Sequence, residues 1–232
     1  MRVAIMQPYF LPYIGYFQLI GAVDLFVVYD QIKYTKKGWI NRNRMLLNGA
    51  DATFSLPLRK AADSLNIVDR QLAADFNRTK LLAQFYGAYR TAPYFDQTYP
   101  LLDALVKHDD DNLFAYLLHA LRLTCAHLAL RTPIQTSSKF DIDNELKAQD
   151  KVIALCKATG ADSYVNAIGG VGLYDPGSFA KNNLNLHFLK SRPLTYRQFN
   201  GEFVPWLSIV DVLMFNALGV IQSKILTDYD LG

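Results

Sequence analysis

Cysteine is scarce in this chain, two in 232 residues, which leaves no material for a disulfide framework. Cys125 and Cys156 stand thirty-one positions apart in segments of helical periodicity with apolar neighbours, the setting of buried free thiols. Neither has a second Cys or His at ligand spacing, and His108, His119, His127 and His187 form no HExxH or CxxC-type pattern, so no metal site is expected. Charge is sparse as well. Charged residues make up 19% of the chain and the formal net charge is +3, too small an excess to recruit nucleic acid by bulk electrostatics. There is no run of eighteen apolar residues, hence no candidate transmembrane helix. The N-terminus offers VAIMQP and prolines at positions 8 and 12, too short and too broken for a signal-peptide core, and the expectation is a cytoplasmic protein. Repeats and low-complexity tracts are missing, and Pro and Gly mark turns rather than a linker, which points to one domain over residues 1–232.

What the chain does have is apolar and aromatic mass. Apolar residues reach 51%, and 14 Tyr with 14 Phe lift the aromatics to 13%. That is enough for a sizeable core and suggests a deep cleft or a partner surface; self-association is left open. Val3–Met6 and Leu25–Tyr29 are continuous apolar runs, read as parallel strands buried on both faces. Ile14–Ala22 between them has room for about two to three helical turns, completing a βαβ unit. Thr53–Leu58 alternates and carries Pro57, which suits a strand near an edge or a strand end. Asn77–Arg90, Tyr99–Lys107 and Asn112–Leu130 show helical amphipathicity and form a helical insertion over about 77–130. Strand and helix then alternate again: a strand over Ile134–Ser137, a helix over Asn144–Thr159, and strands over Ser163–Asn166 and Leu186–Leu189. The expected fold class is α/β, with a mostly parallel, Rossmann-like sheet.

Several residues stand where chemistry is placed in such folds. Gln7 ends a buried strand, and its amide can fix a sugar hydroxyl or a base edge, or simply satisfy the Pro8–Pro12 loop. Tyr9, Tyr13 and Tyr16 can stack on a sugar or base and donate to a phosphate, or serve as amphipathic core. Gly15 permits close approach at a helix start, whose free N–H groups suit an anion. Asp30 follows the second strand as a base, a ribose acceptor or a turn former. The segment KYTKKGWINRNR carries five positive charges and no negative one. Within it Arg42 and Asn43 can hold a diphosphate, or an Arg can pair with a neighbouring carboxylate. Asn166 ends a later strand and is followed by IGGVG, where Gly169 and Gly170 can expose an anion nest or only shape a turn; Tyr174 and Asp175 come next. His187 reads first as a core or edge histidine, yet with Asp30 it is an available base. His108 among Asp109–Asp111 reads as a solvated helix junction with Asp111 as N-cap. Phe203 and Trp206 beside Pro205 suit a cleft wall or an oligomer contact.

Taken together, MQPYFLPYIGYFQLI, DLFVVYDQIKYTKKGWINRNRML, YVNAIGGVGLYD and PWLSIVDVLMFNALG resemble the WbqC-like protein family over nearly the whole chain. The resemblance implies a role in bacterial surface-polysaccharide (O-antigen, lipopolysaccharide) biosynthesis, with acyl or aminoacyl transfer to a nucleotide-linked amino sugar. The amine would be its own nucleophile, so a base and an oxyanion donor would suffice; no coenzyme or carrier motif is present, and no cofactor is expected. A second likeness concerns fold. Tyr13-Ile14-Gly15-Tyr16 is similar to the HxGH signature of nucleotidyltransferases and class I aminoacyl-tRNA synthetases (HUP-like), with tyrosine at both histidine positions. Phenols bring no positive charge at neutral pH, so adenylation would need Lys33, Lys36 or Lys37. A non-catalytic scaffold for glycan enzymes is the third reading.

Overall fold

The computed structural model describes residues 1–143 and 145–232; of the helix expected over 144–159, Asn144 lies outside the described residues. The first strand, β1 (Arg2–Met6), pairs in parallel with β2 (Leu25–Val28), from Val3 opposite Leu25 to Met6 opposite Val28. Period-2 alternation divides their side chains between two cores. Val3, Ile5, Leu25 and Val27 pack with Val152, Leu155 and Cys156 on one face, and Ala4, Phe26 and Val28 pack with Ile14 and Phe17 on the other. Helix α1 (Ile14–Gly21) joins the strands, with six of its eight residues buried.

The antiparallel pair β3 (Arg42–Leu47) and β4 (Ala50–Ser55) forms a two-stranded sheet of its own. The expected edge strand over 53–58 therefore belongs to a hairpin outside the main sheet. Its turn is Asn48-Gly49, both at positive φ (53° and 78°) between the paired Leu47 and Ala50, the two-residue loop whose twist matches antiparallel strands.

Helices α2 (Arg78–Tyr89), α3 (Phe95–Val106) and α4 (Leu113–His127) follow. Helix α3 begins four residues before the expected Tyr99 and holds Pro100 inside it. The cap of α4 is Asn112, which accepts from the Ala115 N–H at 2.9 Å, rather than Asp111. The buried side chains of the three helices join the same core as α1. The chain then runs through β5 (Ile134–Thr136), α5 (Ala148–Ala158), β6 (Ser163–Ala167), α6 (Pro176–Lys181) and β7 (Asn185–Ser191). Last come α7 (Ile209–Phe215), α8 (Leu218–Val220) and β8 (Tyr229–Leu231). The main sheet has the order β5-β2-β1-β6-β7-β8, parallel throughout except for β8. The protein is thus mixed α/β with a mostly parallel central sheet. Among the described residues no helix is long and apolar enough to cross a membrane.

Candidate functional site

From β1 the chain builds the sheet outward through β2 and β5, then returns to β1's other side with β6. Helices leaving β1 and β6 diverge at such a reversal, and the crevice beyond the strand ends is where open α/β sheets take ligands. A cavity of about 500 Å³ opens there. Met6, Ala167, Leu189 and Ser191 supply its floor, α1 contributes Gly15, Tyr16 and Leu19, and Tyr9, Pro12, Tyr13, Trp39, Asn43, Arg44, Ile168 and Trp206 form its walls.

The Pro8–Pro12 loop is fastened from several sides. Asn43, 6% exposed, donates to the carbonyls of Phe10 (3.2 Å) and Leu11 (2.8 Å). Ser208 Oγ donates to Leu11 O at 2.6 Å, Ile209 N to Pro12 O, and Phe10 N to Ile40 O. These bonds hold Leu11 at φ 46° and, across the cavity, Trp206 sits at φ 61°. Left-handed backbone at bulky residues costs about 1–3 kcal/mol each and persists where surrounding structure over-determines it, as at ligand clamps. Asn43 is therefore a fastener of the loop as well as a lining residue.

Rings dominate the interior. Tyr13 and Trp206 meet at 5.3 Å between centroids, and Tyr9 and Tyr16 at 5.7 Å. Tyr16 donates its hydroxyl to Gln7 O at 2.7 Å, which commits that phenol to the loop. Burial raises the pKa of Tyr9 and Tyr13 and raises that of Tyr16 far more, so all three are neutral near pH 7. The wall contributes one guanidinium, Arg44, which ion-pairs with Asp51 at 3.3 Å, donates to Trp206 O at 3.1 Å and stacks on Trp39 at 5.4 Å. Its Nε is buried without a hydrogen-bond partner, an unsatisfied donor beside the cavity.

Gly15 is required by packing: a Cβ there would lie 2.7 Å from Ser191 Oγ. Ser191 donates in turn to Gln18 Oε1, and Gln18 Nε2 donates to the carbonyls of Ile225 and Asp228. The start of α1 and the end of β7 thus meet through one small polar network.

Of the residues singled out from sequence, Tyr9, Tyr13, Gly15, Tyr16, Asn43 and Trp206 are brought together in this cavity, while Phe203 is not among its lining residues. Others are not. Gln7 lies one residue past the end of β1 and Asn166 one residue before the end of β6, so the true strand ends, Met6 and Ala167, line the cavity in their place. Asn166 lies on the opposite sheet face, donating to Tyr164 OH at 3.0 Å and accepting from Ala167 N; Tyr174 also meets Tyr164, at 3.1 Å between hydroxyls. Gly170 packs on the Asn166 amide, 3.0 Å from where a Cβ would stand, while Gly169 is exposed. Asp175 caps α6 by accepting from Gly177 N and Ser178 N. Asp30, 4% exposed, accepts from Ser137 Oγ (2.6 Å) and Ser138 N (3.0 Å), joining the ends of β2 and β5. His187 shares a sheet face with Leu189 and Ser191 without reaching the cavity. Arg42 donates to the carbonyls of Gly38 (3.0 Å) and Lys37 (2.9 Å), holding their loop.

Arg44, Trp39 and Ser191 enter the cavity without having been singled out. The rim around Trp206 is anchored behind by Asp211, fully buried, which accepts from Tyr89 (3.0 Å), Tyr196 (2.7 Å) and Gln198 (2.6 Å).

No solved structure matches the chain. A relative named as an uncharacterized protein of Mycobacterium tuberculosis is 26% identical over 219 residues, covering 93% of each chain. The WbqC-like protein family matches residues 7–222, from the Gln7 that opens the cavity loop, past the β3 wall and Trp206, into the C-terminal turns, and the chain belongs to that family.

Proposed function

We propose that the cavity binds a nucleotide-linked amino sugar and that the protein transfers an acyl or aminoacyl group to its amine in bacterial surface-polysaccharide (O-antigen) biosynthesis. The observation that carries this reading is the place and lining of the cavity. It stands at the reversal of strand order in the mostly parallel sheet, where open α/β sheets take ligands, with ring faces for base and sugar and one guanidinium for phosphate. Arg44 supplies positive charge on the wall, and a diphosphate would compete for the guanidinium donors now held by Asp51 and Trp206 O. Tyr9 and Tyr13, phenols whose pKa burial raises further above its ordinary value, are donors for the oxyanion that develops when the amine attacks an acyl carbon. Asn166, one residue from the floor, acts through the turn it holds.

Binding without catalysis is favoured by one observation: no carboxylate or imidazole is among the described lining residues, which leaves the Lys190 amine as the one ordinary base at the cavity. A screen by thermal shift and mass spectrometry, pairing nucleotide-linked amino sugars with acyl and aminoacyl donors, separates the readings. Stabilisation by a nucleotide sugar with an N-acylated product supports the transferase; stabilisation without product under any donor supports the binding protein; no stabilisation by any nucleotide sugar rejects both.

A further inference from the structure

Hydrophobic side chains left in water are informative when they gather. Trp39, Ile168 and Trp206 are 41%, 48% and 62% exposed, and all three stand on the wall of one cavity. The 3-10 turn that begins at Ile168 also exposes Val171 and Leu173, at 48% and 69%. Both tryptophans of the chain therefore lie on a single apolar rim.

The segment that carries Trp39 is strongly basic, whereas exposed Glu202 and Asp175 stand near Trp206 and Leu173 in sequence. Residues 31–66, which carry Trp39 and the β3–β4 hairpin, hold seven of the 24 Lys and Arg side chains but only two of the 21 Asp and Glu. The rest of the chain is net acidic, so the whole positive excess resides in this segment. Its two acids are taken by Arg44 and Lys36. Arg42 stacks on Trp39 at 5.7 Å, and its hydrogen bonds go to loop carbonyls rather than to a carboxylate. Lys190 adds a further cation where β7 meets the cavity.

Indole rings set among guanidinium and ammonium groups suit the boundary between lipid headgroups and acyl chains, the rings entering it while the cations meet anionic phosphates. An acidic protein would match the charge, but seating two indoles and three aliphatic side chains around an open cleft would demand a complementary shape. A fluid bilayer demands none. We infer that the cavity mouth docks on an anionic phospholipid surface through Trp39, Trp206 and the Ile168–Leu173 turn, so that the cavity opens toward lipid. This stands independently of the nucleotide-sugar reading.

The test uses the full chain with vesicles of phosphatidylcholine, with and without phosphatidylglycerol. Because both tryptophans lie on the rim, intrinsic emission reports docking directly. The expected result is co-sedimentation with phosphatidylglycerol vesicles and a blue shift, both weakened by salt. Trp206→Ser should lower partition about tenfold, and Lys37→Glu by about an order of magnitude. Leu173→Ser, outside the cavity lining, should lower partition while leaving the melting temperature unchanged, which separates docking from damage to the fold. No association with anionic vesicles would overturn the inference, as would association indifferent to Trp206→Ser and Leu173→Ser. A blue shift produced by an acidic carrier protein but not by vesicles would assign the rim to a protein partner and overturn it equally.

Discussion

Replacing Gly15 with alanine tests whether the start of α1 and the end of β7 are locked together. The added methyl would stand 2.7 Å from Ser191 Oγ, and that hydroxyl is not free to withdraw, because it donates to Gln18 Oε1 at 2.5 Å. Two routes are open to the variant. Overlap can be absorbed by small shifts, at about 1–3 kcal/mol, or Ser191 can rotate away and leave the buried Gln18 oxygen without a donor, also about 1–3 kcal/mol. Alanine returns up to about 1 kcal/mol of helix propensity. The net expectation is a loss of about 1–2 kcal/mol, or about 2–8 °C in Tm for a chain of this length. Urea denaturation of Gly15→Ala, Ser191→Ala and the double variant reads the coupling. Ser191→Ala removes the atom that the methyl strikes, so the double variant should be no less stable than Ser191→Ala alone, and the cycle should show at least about 1 kcal/mol of interaction. If the single effects add to within about 0.5 kcal/mol, close approach is not what requires glycine there.

Arg44→Ala should weaken nucleotide-sugar binding more than tenfold, since a charged hydrogen bond is worth about 1.5–3 kcal/mol, whereas Arg42→Ala should act mainly on the Lys37–Gly38 loop and change affinity less; calorimetric titration ranks them, and the reverse order rejects the assignment. Burial raises the Asp211 pKa against the pull of its hydrogen bonds from Tyr196, Gln198 and Tyr89, so the native state holds this proton more tightly than the unfolded chain. The resulting stability is fully present below the ordinary carboxylate value and is lost as pH rises through the raised one. The Tm of the wild type relative to Asp211→Asn should therefore climb as pH is lowered across that window, and a difference flat with pH refutes this. Burial also pushes the Cys125 and Cys156 thiols up to about 12; a thiol reagent in mildly alkaline buffer should label neither in the native protein and both in guanidinium, and rapid native labelling of either would show that the thiol is accessible.

The central strands and the long helices were legible because burial imposes a period on sequence. Val3–Met6 and Leu25–Val28 are unbroken apolar runs for the reason that both sheet faces are covered, and α2 and α4 show through their amphipathic spacing, although the cap of α4 is Asn112 and not the expected Asp111. The β3–β4 hairpin had a local signal too, the Asn48-Gly49 pair between Leu47 and Ala50. By contrast, β8 is three residues long and α7 seven. At such lengths tertiary contacts, rather than periodicity, decide whether an element forms. For α7 the contacts are complete, since all seven residues are buried, Asp211 included.

The site was legible to the accuracy of about one residue, and the physics of that error is parity. Strand ends could be found from sequence, but which face each terminal side chain takes depends on the crossing of helices that local pattern does not record. At β6 the floor residue is Ala167, because Asn166 turns with Tyr164 toward the α6 side, where Phe179 stacks on the Tyr164 ring at 5.6 Å. At β1 it is Met6, Gln7 having already entered the loop. On β3 parity does not decide: Arg42 and Arg44 both flank Trp39, and the distinction comes from distant chain. Arg42 finds carbonyls four and five residues away, whereas Arg44 reaches Trp206 O, 162 positions on. Only the fold of the whole chain brings that carbonyl to β3, and with it the second tryptophan that closes the cavity wall.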